Sequence, residues 1–366
     1  MRIAVTGSKG FIGKNLCAKL RELRHDVLEI DRSSSHVELV DSLRKAEFVF
    51  HLAGVNRPTN VEEFGRGNVD FTETICQVLI ELNPRPLVFA SSTQAKLENP
   101  YGRSKRAAES IIEKYAKHAD VCVLSVRFPN VFGKWSKPNY NSAVATFCDA
   151  IINNREYTVH DPRASLNLVY IDDAVEYLIS LIGPMESREV LPRLGRIYST
   201  TVGEVVEILR EFGEARNTLM VGNVGGGLRR ALYSTFVSFL PRDRFSYVLP
   251  IHKDSRGEFV EMLKTPSAGQ FSYFTAHPGV TRGGHYHHSK TEKFLVIAGS
   301  ARFRFRSLIN SEKHELEVMG GSGTVVETIP GWTHDITNIG EDLLVVMLWA
   351  NEIFDRSRPD TVASEI

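Results

Sequence analysis

The stretch RIAVTGSKGFIG, residues 2–13, decides the fold of the first half of the chain. Arg2–Thr6 is a short β-branched run. Phe11–His25 carries helical periodicity, with Ile12, Leu16, Leu20 and Leu23 on one stripe. Gly7, Gly10 and Gly13 stand between or at the edges of these elements. A strand that turns through glycines into a helix offers backbone N–H groups at a helix N-terminus, where a phosphate can approach. Asp31 closes the next strand 18 positions after Gly13, about where a carboxylate reaches a ribose hydroxyl. Together these residues read as a dinucleotide site rather than a structural turn. Lys9 in the loop and Arg32 beside Asp31 can pair with a 2′-phosphate, which favours NADP(H), whereas Asp31 itself favours NAD.

Working outward, strand-like and helix-like segments alternate. Val27–Asp31 and Glu47–Leu52 read as strands, Asn68–Leu82 as a helix, Pro86–Ser91 as a strand, Tyr101–Lys117 as a helix and Val121–Arg127 as a strand. That order predicts an α/β Rossmann-type, doubly wound parallel sheet. From about 140 to 240 the pattern loosens into a small substrate lobe. Helices are expected near Ser142–Ile152, Asp172–Leu181, Val202–Phe212 and Leu228–Phe239, with short strands near 155–160, 166–171 and 196–200. Beyond residue 243 turn residues recur about every ten positions between β-rich runs such as Phe294–Ile297 and Leu343–Trp349. This predicts an all-β barrel or sandwich. The expected domains are therefore 1–243 and 244–366.

The 366 residues suffice for two cores, and 44 basic residues balance 44 acidic ones. A neutral chain argues against nucleic-acid or membrane-surface binding. MRIAVTG runs straight into a strand without the charged and apolar regions of a signal peptide. No apolar run approaches the roughly 18–20 residues that span a bilayer. A cytoplasmic location is expected. Cys17, Cys76, Cys122 and Cys148 form no CxxC pair and read as free thiols in a reducing compartment.

NPYGRSKRAAES, residues 99–110, places Tyr101 and Lys105 four apart on one helix face. A cation beside a phenol lowers its pKa from about 10, which makes Tyr101 a usable proton donor or acceptor at a carbonyl oxygen. The stretch follows FASST, residues 89–93, at a strand end.

Residues 1–240 resemble the extended short-chain dehydrogenase/reductase family. The resemblance rests on TGSKGFIG, HLAG (51–54), NVDFT (68–72), SST (91–93), YGRSK (101–105), RFPNVFG (127–133) and LVYIDDAVEYL (168–178). It implies that Ser92, or else Thr93, polarises a substrate carbonyl, that Tyr101 delivers the proton, and that Lys105 tunes it and holds the nicotinamide ribose. It also implies cofactor contacts at Gly7, Gly10, Phe11, Ile12, Gly13, Asp31, Arg32, Leu52, Ala53 and Gly54, and a substrate contact at Asn130. Relatives that dehydrate nucleotide sugars carry an adjacent Asp–Glu pair after the hydroxyl. Here the positions read Ser92, Thr93, Gln94 and Ala95. Without a carboxylate for proton abstraction, carbonyl reduction or oxidation is expected instead.

In GGHYHHSKTEKFLVIAG, residues 283–299, His285 and His287 share a strand face and Glu292 follows. IPGWTHDITN, residues 329–338, adds His334. Three imidazoles and a carboxylate converging in a barrel suit Zn²⁺, with Fe²⁺, Mn²⁺ and Ni²⁺ also possible. His288 is expected to face away, and His277 and His314 have no pattern. The spacing resembles both cupin motifs over about 250–350: Gly279, His285, His287, Glu292 and Gly299, then Gly323, Gly331, His334 and Asn338, with Ile329 where proline is usual.

DSRGEFVE (254–261) and GVTRGGHYH (279–287) are similar to nucleotide-sugar 3,5-epimerases of deoxyhexose synthesis. That likeness implies that Arg256 and Arg282 bind the diphosphate and sugar. Those enzymes lack a metal and use the histidine matching His285 as base, but carry glutamine where this chain has His287. His285 is therefore expected to be a ligand, and the base stays open among Lys290, Lys293, Tyr286 and Asp335.

The full length resembles bifunctional capsule and O-antigen enzymes that fuse this reductase to this cupin. The resemblance implies C3 epimerisation of UDP-2-acetamido-2,6-dideoxy-β-L-arabino-hexos-4-ulose, then NADPH-dependent C4 reduction to UDP-2-acetamido-2,6-dideoxy-β-L-talose, a precursor of UDP-N-acetyl-L-fucosamine. It further implies a divalent metal, zinc foremost, and a homodimer. Competing readings are a 4-ketosugar reductase with a structural cupin, an NADP(H)-binding redox sensor, and an iron-dependent cupin dioxygenase.

Overall fold

The computed structural model describes residues 1–183 and 194–366. The chain divides into two compact units: Met1–Arg210 with Gly226–Leu240, and Glu211–Gly225 with Pro241–Ile366.

The first unit begins β1 (Arg2–Thr6), α1 (Phe11–Glu22), β2 (Asp26–Ile30), α2 (His36–Lys45), β3 (Phe48–His51), a π-helical turn at Gly65–Asp70 and α3 (Phe71–Leu82). It continues with β4 (Leu87–Ser92), a 3₁₀ turn at Thr93–Lys96, α4 (Pro100–Ala119) and β5 (Val123–Phe128). These five strands pair in parallel in the order β2-β1-β3-β4-β5. Successive residues of one strand enter opposite cores. Ile3, Val5, Phe48, Phe50 and Val88 pack with Leu16 and Leu20 of α1, while Ala4, Val49, Leu87 and Phe89 pack with Leu39, Ile75 and Ile112 of α2, α3 and α4. The sheet is thus covered on both faces, as a Rossmann-like layer must be. Growth of the sheet reverses between β1 and β3, and the crevice at such a switch point, beyond the strands' carboxyl ends, is where ligands bind.

Then follow β6 (Asn130–Phe132), α5 (Ala143–Ile152), β7 (Ser165–Tyr170), α6 (Ile171–Ser180), β8 (Tyr198–Thr201), α7 (Val202–Thr218) and α8 (Gly227–Ser238), with β6-β7-β8 forming a small sheet. The division between units falls within α7. Two expectations are corrected. Residues 155–160 form no strand. Instead the Tyr157 ring packs on Phe147 at 5.6 Å and its hydroxyl accepts from Arg210 Nε at 2.7 Å, so side chains rather than a ladder anchor that segment. Conversely, α2 is an element the periodicity missed. Ser35 and Glu38 close a reciprocal capping box at its start, a signal present in SHVE at 35–38.

The second unit is antiparallel: β9 (His252–Asp254), β10 (Gly257–Thr265), β11 (Gly269–Ala276), β12 (Thr281–Tyr286), β13 (Glu292–Ala298), β14 (Ser300–Ser307), β15 (Lys313–Met319), β16 (Val325–Glu327), β17 (Trp332–Asn338), β18 (Leu344–Ala350) and β19 (Val362–Ala363). One sheet runs β16-β13-β18-β11-β10-β9, the other β15-β14-β17-β12-β19. They share one core, with Phe274, Phe294 and Leu348 from the first meeting Phe303, Phe305 and Ile336 from the second. Cys17, Cys76, Cys122 and Cys148 form no disulfide. Burial lifts the thiols of Cys17 and Cys76 to about 11 and about 12, which keeps them protonated and inert.

Candidate functional site

Each unit carries its own site. In the first, an open cleft of about 910 Å³ lies at the carboxyl ends of β1, β3 and β4. Gly7, Gly10, Phe11, Ile12, Gly13, Leu52 and Gly54 form one side, and Ser92, Tyr101, Lys105 and Asn130 another. Gly13 is required by close approach, because a Cβ there would stand 2.1 Å from the Gly7 carbonyl oxygen. Ala53 turns its N–H onto Thr6 Oγ1 at 3.2 Å and supports the loop from behind.

Asp31 is ion-paired to Lys9 at 2.6 Å and accepts the backbone N–H and hydroxyl of Ser33. The Lys9 contact, then the Ser33 hydrogen bonds, bring its carboxyl down to about 2. It is therefore ionised but locally neutralised by Lys9, and Arg32 beside it is exposed.

Two serines end β4 and have different fates. Ser91 Oγ donates to buried Glu109 Oε1 at 2.5 Å, and Arg127 grips the same carboxylate with Nε at 2.9 Å and Nη2 at 2.6 Å. Burial would raise the Glu109 carboxyl, but those partners hold it below its ordinary range. Ser91 is thereby committed to structure. Ser92 instead shares a hydrogen bond with Tyr101 and receives the Gln94 N–H at 3.2 Å. Thr93 is exposed.

The phenol departs from expectation. Burial raises the Tyr101 pKa above its ordinary 10, and the Ser92 hydrogen bond only partly opposes this. The Lys105 ammonium points to Ala90 O at 2.9 Å and stands 4.7 Å over the Phe89 ring. Burial lowers it to about 8, with Glu109 working the other way. Lys105 therefore does not depress the phenol here, and Tyr101 is held as a protonated donor.

Residues beneath the cleft were missed by the sequence reading as individuals. Asn68, 2% exposed, accepts Val55 N–H at 2.7 Å and donates to Val55 O at 3.0 Å and Ser104 Oγ at 2.9 Å. His51 bridges Thr6 Oγ1 at 2.7 Å and Thr72 Oγ1 at 2.9 Å, and burial lowers its pKa to about 3. The strings HLAG and NVDFT contain both residues, but their partners lie far along the chain.

In the second unit, a pocket of about 580 Å³ is lined by aromatic side chains and by Arg282, His285, Glu292, His334 and Asp335. The potential ligand atoms of His285, His287, Glu292 and His334 all lie within 4.8 Å of one another. His285 and His334 face each other as a cross-strand pair of β12 and β17, with ring centroids 4.7 Å apart. His287 lies just past the end of β12 rather than on it. A bulge at Gly283 (φ +95°) intervenes earlier in β12, where a Cβ would stand 2.9 Å from Asp335 Cα.

The donor set fits a cation. His287 Nδ1 bonds to the Asp360 carbonyl, and a carbonyl can only accept. The proton must therefore sit on Nδ1, and a neutral ring then presents a lone pair at Nε2. That Nε2 lies 3.3 Å from Glu292 Oε2, and His334 Nε2 lies 3.5 Å from the same oxygen. His334 Nε2 is buried and has no hydrogen-bond partner of good geometry. The His287 lone pair facing a carboxylate oxygen is repelled unless that ring takes a second proton or a cation sits between them. Burial holds His285 at about 4, hence neutral near pH 7. Burial would raise Glu292, but the histidines and Lys290 outweigh it and keep it ionised. Lys290 Nζ takes Glu292 Oε1 at 2.9 Å, leaving Oε2 for the histidine side. Three nitrogens and one oxygen match a divalent transition metal.

Of the four candidate bases, Asp335 lines the pocket and is gripped by Arg304 through Nε at 3.0 Å and Nη2 at 2.5 Å. Lys290 is tied to Glu292, exposed Lys293 pairs with Glu327, and Tyr286 packs on His288. His288 and His277 are exposed, and so is His314, whose ring stacks on Phe305. Arg282 lies 5.4 Å over the Phe274 ring, donates Nε to Thr275 O at 2.9 Å, and leaves Nη2 buried without a hydrogen bond. Arg256 is exposed and clasps Asp254 instead of lining the pocket.

Comparison with known proteins agrees with this two-part organisation. Residues 3–190 match the NAD dependent epimerase/dehydratase family, and residues 252–362 match the polysaccharide biosynthesis C-terminal domain. The UDP-2-acetamido-2,6-beta-L-arabino-hexul-4-ose reductase of Pseudomonas aeruginosa is 52% identical, covering 100% of this chain and 99% of that protein. The capsular polysaccharide assembling protein CapF from Staphylococcus aureus superposes over all of both chains with a TM-score of 0.93 at 40% identity. MoeE5, solved with UDP-glucose and NAD, shares the fold over 67% of this chain with a TM-score of 0.57 at 21% identity. The chain belongs to the NAD dependent epimerase/dehydratase family. Among the described residues, no helix is long and apolar enough to cross a membrane.

Proposed function

We propose that this chain processes a UDP-linked 4-keto-6-deoxy sugar in two steps, inversion at C3 in the barrel and reduction at C4 in the nucleotide-binding unit. The substrate proposed is UDP-2-acetamido-2,6-dideoxy-β-L-arabino-hexos-4-ulose, and the product is UDP-2-acetamido-2,6-dideoxy-β-L-talose, on the route to UDP-N-acetyl-L-fucosamine for a surface polysaccharide. The full-length likeness to a reductase named for such a sugar supports this substrate. The observation that carries the two-step reading is the barrel pocket, where a four-ligand cluster stands beside Arg282 and Asp335.

In the first unit, the Ser92 hydroxyl holds the ketone oxygen by a hydrogen bond. Tyr101, kept protonated by burial, gives its proton to that oxygen as C4 is reduced. Lys105 holds the nicotinamide ribose and can return a proton to Tyr101. Bound NADPH supplies the hydride; the Lys9 partner of Asp31 and exposed Arg32 favour a 2′-phosphate there.

In the barrel, a bound divalent metal, zinc foremost, supplies Lewis-acid stabilisation of negative charge at O4 when C3 loses its proton. His285, His287, Glu292 and His334 would hold it. The buried Arg282 Nη2, which makes no hydrogen bond and lies 3.8 Å from Asp254 Oδ1, would meet an anionic or carbonyl oxygen of the substrate. Asp335, fixed by Arg304, faces the pocket as the group that exchanges the C3 proton. Inversion at C3 is close to neutral in energy, and reduction at C4 draws it forward. A homodimer in the cytoplasm belongs to the same reading, with mass in solution as its check.

The test is incubation with NADPH and the 4-keto sugar in D₂O, read by proton NMR. Deuterium at C3 with inverted configuration, together with a hydride-derived proton at C4, is expected. Reduction without deuterium at C3 would leave the barrel a scaffold. No NADPH consumption would remove the substrate assignment.

A further inference from the structure

The segment 360–366 lies against the barrel at the metal cluster. Asp360 collects three successive backbone N–H groups: His288 N on Oδ1 at 2.9 Å, and Ser289 N at 2.7 Å and Lys290 N at 2.8 Å on Oδ2. The Ser289 hydroxyl adds a fourth bond at 2.9 Å. Consecutive N–H groups converging on one carboxylate form an anion nest. The main-chain carbonyl of Asp360 accepts from His287 Nδ1.

One residue therefore acts on two ligands. Its carbonyl fixes which His287 nitrogen carries the proton and how the ring is turned. Its carboxylate fixes the 288–290 turn, whose Lys290 ammonium orients Glu292. The chain beyond Asp360 secures this arrangement. Val362–Ala363 pair with Tyr286 and His285, Ser364 N donates to Gly284 O at 2.9 Å, and Ser364 Oγ accepts from Thr333 Oγ1 at 2.8 Å. Ser364 and Glu365 O also receive the Arg306 guanidinium.

We infer that Asp360 is a positioning residue for the metal centre: its carboxylate, by pinning the 288–290 turn, orients the Lys290–Glu292 pair and holds the residue's own carbonyl onto His287, so that loss of the side chain loosens both ligands. The inference rests on the metal reading above. Partners that orient first ligands govern affinity, and their loss weakens binding roughly 10- to 100-fold.

The experiment titrates the metal-stripped full-length protein with Co²⁺, following calorimetric affinity and the visible absorption of the bound ion. Asp360→Ala and Asp360→Asn are compared with Asp355→Ala, which cuts the Ser357 contacts of the preceding turn and touches no ligand. Circular dichroism confirms that each is folded. Asp360→Ala is expected to bind roughly 10- to 100-fold more weakly with an altered visible band, because the ligand geometry itself has changed. Asp360→Asn, which keeps one acceptor oxygen, should fall between, and Asp355→Ala should match the parent. Equal affinity and an unchanged band in a folded Asp360→Ala would overturn the positioning role while leaving the metal reading intact. A parent chain that takes up no Co²⁺ would overturn both.

Discussion

Asn68→Ala tests how the first unit shapes its cleft. Asn68 is 2% exposed, and its amide is shared among Val55 N–H, Val55 O and Ser104 Oγ. Alanine leaves the buried Val55 N–H and carbonyl without these partners, while Ser104 keeps its bond to Tyr101 O at 2.8 Å. A buried donor left unsatisfied costs about 1–3 kcal/mol, and the lost acceptor contact adds less, so the total is about 2–4 kcal/mol. A unit of this size loses roughly 2–4 °C of Tm per kcal/mol, which predicts a fall of roughly 5–15 °C. The unit should still fold, since domains hold about 5–15 kcal/mol. Leu52 and Gly54, just before Val55, line the cleft, so dinucleotide affinity should drop with stability. Thermal melts and fluorescence titration with NADPH measure the two effects. A variant within about 1 °C of the parent and binding NADPH equally would refute the assignment of Asn68 as the staple beneath the cleft.

Other predictions follow the same reasoning. Tyr101→Phe should slow reduction by roughly 10²- to 10⁴-fold with dinucleotide binding retained, seen by stopped-flow absorbance and equilibrium titration. Lys105 is held at about 8, so its charged form fades as pH rises through that value. Reduction should therefore decline above about pH 8 while Tyr101, raised above 10, stays protonated; a rate flat to pH 9.5 contradicts this. His51 titrates at about 3 in the fold against 6.5 when free, so the unfolded chain binds more protons between those values. Its contribution to stability is present above pH 6.5 and is lost as pH falls towards 3. In His51→Gln, melts from pH 7 to 4 should show a shallower loss than the parent. Removing metal with a chelator should stop deuterium wash-in at C3 but leave NADPH binding unchanged, by NMR and fluorescence.

What could be read from the sequence is what nearby spacing encodes. The glycine loop, the Tyr101–Lys105 pair and the His285–His287–Glu292 run each lie within a few residues, so that one turn of chain or one turn of helix can bring their members together. The alternation that put Ile3 and Val5 on one face and Ala4 on the other is likewise a local period. Tertiary structure alone decided the rest. It committed Ser91 to Glu109 and left Ser92 with Tyr101. It buried Tyr101 and aimed Lys105 at Ala90, which reversed the expected direction of the phenol's pKa. It set His334 across from His285 and brought Asp360 onto His287 from 73 residues away. The physical reason is common to all of these. A side chain's partners across a ladder depend on strand register, and its pKa depends on burial; both are fixed only when distant segments pack.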